Sequence, residues 1–280
     1  MDSLVTTDWL ANELGAPDLA VVDATKFLDG TGRDPKAEYE DGHILGAVFL
    51  DLDELADKTP GAPHKLPPEH KFASRMQTLG IRDGMRIVVY DNSPLRSATR
   101  AWWLLKSFAA HHVSVLDGGL AKWKAEGRPL EAGRPQVRHG HFTPMLDPAA
   151  LVDKAAVRAI VEAGGEQLVD ARSAARFAGT DGDPRPGIAA GHIPGSRNLP
   201  QGQLFSEDGT WKRGDALRAA FEQAGVDLDR PMVTTCGSGV TATALIFGAH
   251  LLGRDGVRLY DGSWADWGSD PDTPKATGPA

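Results

Sequence analysis

The sequence predicts an α/β protein built as two tandem copies of one unit, each a mostly parallel sheet flanked by helices. Four short anchors recur in the same order about 145 residues apart, a spacing that means a duplicated domain rather than a short-period solenoid. Ala20-Val21-Val22-Asp23-Ala24 returns as Gln167-Leu168-Val169-Asp170-Ala171, and Gly42-His43-Ile44 as Gly191-His192-Ile193. Arg86-Ile87-Val88-Val89-Tyr90-Asp91 returns as Pro231-Met232-Val233-Thr234-Thr235-Cys236. Asp117-Gly118-Gly119 with Trp123 returns as Asp261-Gly262-Ser263 with Trp267. Within a copy, β-branched runs alternate with helical patterns, the mark of parallel strands joined by helical crossovers.

In chain order, Leu19 to Ala24 and Arg86 to Tyr90 read as strands. Ser97 to Ala110 reads as a helix and Val113 to Leu116 as a further strand. The second copy repeats this, with a strand from Pro231 to Thr235 and an apolar helical stretch running to Leu252. These assign a first domain to residues 1–125, a linker to 126–147, a second domain to 148–270 and a tail to 271–280. The linker is rich in Pro, Gly, Arg and His and lacks apolar periodicity. The tail is Pro- and Gly-rich and is expected to be ordered only where it docks.

At 280 residues, 41% hydrophobic and 24% charged, the chain has enough apolar material for two cores. Its net charge of −8 argues against a nucleic-acid or anionic-membrane surface. A single cysteine permits no internal disulfide and no cysteine-rich zinc site, and a free thiol suits a reducing compartment. The first residues show neither a basic segment nor a long apolar core, and no apolar run approaches a membrane span. A cytoplasmic protein is expected.

That one cysteine, Cys236, lies where a strand gives way to a helix, in Cys236-Gly237-Ser238-Gly239-Val240-Thr241. A loop there aims backbone N–H groups and the positive end of the helix dipole at one point, which favours the anionic, nucleophilic form of a thiol. The glycines let the backbone wrap closely around whatever the sulfur carries. The plainer alternative is a buried structural cysteine, but core cysteines rarely need two glycines within three positions. The first copy carries Asp91 at the matching place, and a carboxylate cannot act as a sulfur nucleophile. The first domain is therefore read as non-catalytic, lending residues to the second domain's site.

The duplicated units, the Asp-Gly run closing each with its tryptophan, and Cys236-Gly237-Ser238-Gly239-Val240-Thr241-Ala242 together resemble the two-domain rhodanese superfamily. The resemblance covers about residues 3 to 268 and is nearest to the superfamily's 3-mercaptopyruvate-using branch. It implies two rhodanese-like domains and ping-pong sulfur transfer without a cofactor. A donor's sulfur passes to Cys236 as a persulfide and then to a thiol acceptor such as thioredoxin, or to cyanide. Converging N–H donors would stabilise an anionic persulfide as they would a thiolate.

Relatives that use thiosulfate carry Arg and Lys after the cysteine, where this chain has neutral Gly237 and Ser238. The resemblance therefore favours 3-mercaptopyruvate over thiosulfate, with Gly237, Gly239, Val240 and Thr241 lining the seat. It also implies that Arg176 and Arg185 grip the donor carboxylate, a role suited to paired guanidinium donors. Taken without the resemblance, both are ordinary solvated loop arginines. It further implies a relay of Ser238, His64 and Asp53 that orients a proton for the departing pyruvate enolate. On the residues alone His64 is a surface histidine, and Asp51 competes with Asp53 for the acidic place.

Other features have simpler assignments. His43 and His192, in the repeated Gly-His-Ile, are expected to position a turn. His111, His112, His139 and His141 lack nearby acidic or cysteine ligands for a metal. Trp102, Trp103, Trp123, Trp264 and Trp267 are expected to pack the cores and the contact between domains, Trp264 and Trp267 also edging the pocket. A cysteine phosphatase would need an arginine six positions after its cysteine, and position 242 is Ala. A thiosulfate sulfurtransferase stays open as an alternative. So does a persulfide relay module with no donor of its own, which would not need Arg176 and Arg185 to converge on the sulfur.

Overall fold

The computed structural model describes residues 1–28, 30–58 and 63–279. Two compact units emerge. The first comprises Met1–Ala56, Leu66–Asp147 and Glu207–Thr210; the second comprises Asp57–Lys65, Pro148–Ser206 and Trp211–Ala280.

In the first unit five parallel strands form a sheet in the order Val48–Phe49, Leu19–Asp23, Arg86–Tyr90, His112–Leu116, Leu4–Val5. The second unit reproduces that order with Arg197–Asn198, Gln167–Asp170, Met232–Thr235, Arg258–Tyr260, Leu151–Val152, again all parallel. Parallel strands covered on both faces read as near-continuous apolar runs, and Val22, Val88, Val89, Val169 and Val233 are all buried. The middle strands, Arg86–Tyr90 and Met232–Thr235, are the ones that lead into Asp91 and Cys236.

The repeated anchors do repeated work. The rings of His43 and His192 stack on Tyr39 and Phe177, with centroids 4.1 and 3.7 Å apart. Each donates through Nδ1 to the same residue's carbonyl, at 2.7 and 2.8 Å. Trp123 and Trp267 are fully buried and donate through Nε1 to the carbonyls of Pro129 and Pro274. Trp264 is also buried, inside the second core with Val157, Leu168 and Tyr260.

Two local details differ from the sequence reading, the linker and the ends of one helix, and the tail docks as expected. The segment read as a linker contains a short strand, Leu130–Glu131, that pairs antiparallel with His43–Ile44. Beyond it, Asp147 N–H donates to the Ser107 carbonyl and Phe142 is buried, so the segment is part of the first unit. A two-residue strand has no period to detect. The helix read as Ser97 to Ala110 runs Ala98–Ser107. The tail docks through a bridge between His192 and Ala276, the counterpart of the pairing made by His43.

Candidate active site

Cys236 follows the central strand Met232–Thr235 at its carboxyl end, where open parallel sheets place their ligands. The helix Ala242–Leu251 begins just beyond it, and eight of that helix's ten residues are buried. The loop between is therefore fixed at both ends by core packing.

The cysteine is 2% exposed. Gly239 adopts a left-handed backbone (φ 82°), which aims its N–H at Cys236 Sγ across 3.2 Å. Side chains with a Cβ resist that conformation, so the second glycine of the motif has a geometric cause. Trp264 N–H donates to the Cys236 carbonyl and Ala265 N–H to the Gly237 carbonyl, both at 2.9 Å. Val240 is buried and its carbonyl accepts from Thr243, while the Thr241 carbonyl accepts from Ala244 as the helix starts. Ser238 is half-buried.

Ser263 is a site residue the sequence reading missed. Its Oγ accepts from Cys236 N–H at 3.3 Å and donates to the Tyr260 carbonyl at 2.9 Å. Ser263 holds a left-handed φ of 52°, where the first copy has Gly119 at 56°. A non-glycine residue there costs on the order of 1 kcal/mol. The Gly-to-Ser difference between the repeats was the available signal.

Arg176, in the helix Ala174–Ala178, and Arg185, in the following loop, converge on a shared carboxylate. Arg176 Nη2 donates to Asp183 Oδ2 at 2.6 Å. Arg185 donates to Asp183 through Nε at 2.7 Å and Nη2 at 2.8 Å, and through Nη2 to the Gly237 carbonyl at 2.9 Å. A Cβ built on Gly237 would lie 3.3 Å from Arg176 Nη2 and 3.4 Å from Arg185 Nη2. Both guanidiniums thus border the residue next to the cysteine. The carboxylate between them is fully buried, whereas the arginine side chains keep 23% and 29% of their surface open. Among the described residues, Arg176 Nε is buried without a hydrogen-bond partner. Burial would raise the Asp183 carboxyl, but its hydrogen bonds to Arg185 and the charges of both arginines outweigh that and hold it at about 2. Asp183 was also missed, although it stands two residues before Arg185 in the same loop.

Asp53 lies in the first turn of the helix Leu52–Leu55, and Lys26 Nζ meets its two carboxylate oxygens at 2.8 and 2.6 Å. Lys26 is buried, so this contact holds a charged lysine inside the first unit. Asp51 is the N-cap of the same helix, accepting from the N–H groups of Asp53 and Glu54, which separates the two neighbouring acids by task. His64 is half-buried with a left-handed φ of 59°, on the segment Asp57–Lys65 that groups with the second unit. Gly61 and Ala62 of its run lie outside the described residues.

The first unit contains a reference version of the loop. Asp91 is buried, and its carboxylate accepts from Ser93 N–H at 2.9 Å and Ala98 N–H at 2.7 Å. Leu120 N–H donates to the Asp91 carbonyl, as Trp264 does to Cys236. A strand-to-helix loop of this design holds a negative group on its own amides. Burial, the larger influence, nonetheless raises the Asp91 carboxyl against those hydrogen bonds.

Rhodanese-like domains match residues 6–126 and 153–270, and the chain belongs to that family. The 3-mercaptopyruvate sulfurtransferase of Homo sapiens is 41% identical over 95% of this chain and 91% of its own length. The thiosulfate sulfurtransferase of Cricetulus griseus is 38% identical over 95% and 91%. Among solved structures, SseA from Escherichia coli, described as a 3-mercaptopyruvate sulfotransferase with the rhodanese fold, superposes with a TM-score of 0.86 and 38% identity. That superposition covers 94% of this chain and 99% of SseA. Among the described residues, no helix is long and apolar enough to cross a membrane.

Proposed function

We propose that this chain is a 3-mercaptopyruvate sulfurtransferase whose persulfide forms on Cys236. The carrying observation is the loop geometry: a buried sulfur with an amide on it, neutral Gly237 and Ser238 beside it, and two guanidiniums bordering Gly237. The Cys236 thiolate attacks the donor's sulfur, the carbon–sulfur bond breaks, and its electron pair leaves as the pyruvate enolate. Protonation of that enolate gives pyruvate and leaves Cys236 with one extra sulfur. An acceptor thiol, thioredoxin being one, or cyanide then attacks the outer sulfur and frees the thiolate.

Arg176 and Arg185 bind the donor carboxylate in this scheme, with guanidinium edges that are part-exposed and aimed at the loop. Ser238, His64 and Asp53 serve as the proton relay, and the first domain, with Asp91, does no sulfur chemistry. Gly237, Gly239, Val240 and Thr241 form the wall of the seat. The chain is assigned to the cytoplasm, with residues 1–125 and 148–270 as its two rhodanese-like domains and residues 126–147 packed on the first.

Convergence of the arginines beside Cys236 supports a catalyst over a donorless relay module. Steady-state rates with each donor, using cyanide as acceptor, test the assignment. The specificity constant for 3-mercaptopyruvate should far exceed that for thiosulfate. Arg176→Ala and Arg185→Ala should each lose about 1–3 kcal/mol in kcat/KM, mostly through KM. Equal or better use of thiosulfate would overturn the donor assignment.

A further inference from the structure

We propose that Asp183 sets the net charge of the donor seat and so selects a singly charged donor over a doubly charged one. This rests on the donor assignment above and adds a specificity-determining residue to it. The buried carboxylate touches both guanidiniums, at 2.6 Å to Arg176 and at 2.7 and 2.8 Å to Arg185. Arg185 N–H also donates to Asp183 Oδ1 at 3.1 Å, so the aspartate is locked to its own loop. Two positive groups and one negative group leave the seat with a single net positive charge. A 2-keto acid carboxylate cancels that charge. A dianion cancels it and leaves one negative charge unmatched beside a buried sulfur that must itself be anionic to react.

Asp183 also orients. Without a shared anchor the two guanidiniums would repel each other across a narrow gap, and Arg185 would lose the partner that aligns its Nη2 with the Gly237 carbonyl. Because its carboxyl sits at about 2, the aspartate keeps its charge throughout any neutral assay. The neutral loop residues Gly237 and Ser238 add no charge of their own, which leaves the Arg–Asp–Arg cluster to decide it.

The test measures kcat/KM for 3-mercaptopyruvate and for thiosulfate in the wild type, Asp183→Asn, Asp183→Ser and Asp183→Glu, each checked for folding by circular dichroism. In the neutral variants the thiosulfate-to-mercaptopyruvate ratio should rise about tenfold or more, the scale of one altered close charge pair. Asp183→Glu, which keeps the charge, should hold the wild-type ratio even if both rates fall. The proposal is overturned if a folded neutral variant loses both donors in proportion, or if Asp183→Glu shifts the ratio as far as Asp183→Asn does. A wild type that prefers thiosulfate sinks the donor assignment instead. A wild type that prefers mercaptopyruvate, with no ratio shift in either neutral variant, sinks only the role of Asp183.

Discussion

Replacing Gly237 with alanine places a methyl group between the nucleophile's loop and the two arginines. Gly237 is not among the residues with a left-handed φ, so alanine meets no backbone strain, unlike the same change at Gly239. The new Cβ would stand 3.3 Å from Arg176 Nη2, 3.4 Å from Arg185 Nη2 and 3.6 Å from Arg176 Nη1. Those separations require a guanidinium to move by a few tenths of an ångström. The tight approach is to Arg176 Nη2, which Asp183 holds at 2.6 Å, so the displacement falls on the guanidinium that faces the donor's seat. Losing one charge-assisted contact to the donor carboxylate costs about 1.5–3 kcal/mol, roughly a 10- to 150-fold fall in kcat/KM. The fall should appear chiefly in KM, with the urea midpoint unchanged. Steady-state kinetics with 3-mercaptopyruvate and cyanide, paired with a urea titration, measure both. A folded Gly237→Ala enzyme with wild-type kcat/KM would refute the placement of the donor between this loop and the arginines.

Asp91→Ala should leave sulfur loading of Cys236 intact while weakening the first domain by about 1–3 kcal/mol, because the Ser93 and Ala98 amides lose their acceptor. Urea unfolding checks it, and loss of sulfur loading without loss of stability would contradict the non-catalytic role. Asp23, buried with Thr25 where the second copy has Arg172, has its carboxyl pushed up to about 6 by burial, against the Thr25 hydrogen bonds. A raised carboxyl favours the protonated native state, so its stabilisation is full below about pH 4 and is lost as pH rises through about 6. Unfolding free energies of Asp23→Asn and wild type, compared across that window, should diverge by about 3 kcal/mol, with the wild type losing stability as pH rises. Parallel curves would remove Asp23 as the cause.

The strands, the duplication and the cysteine loop were legible because each leaves a local mark. Buried parallel strands are short apolar runs, the repeat anchors are identical at several positions, and a strand-glycine-helix junction is visible residue by residue. What stayed hidden depends on tertiary position. Asp183 looks like any loop acid until the fold brings Arg176 and Arg185 onto it. Ser263 looks like a glycine lost from a repeat until its hydroxyl is found under the Cys236 amide. The pairing of Lys26 with Asp53 joins two charges 27 positions apart with no periodic signal to announce it. Likewise nothing in the sequence marks Arg172, yet it is buried, paired with Asp170 and stacked 4.8 Å from the Trp264 ring.

The most direct test is intact-mass analysis of the wild type and Cys236→Ser after exposure to 3-mercaptopyruvate with no acceptor present. The wild type should gain the mass of a single sulfur atom and lose it again on adding cyanide, while Cys236→Ser gains nothing. An unchanged wild-type mass, or the same gain in Cys236→Ser, would contradict sulfur storage at this position.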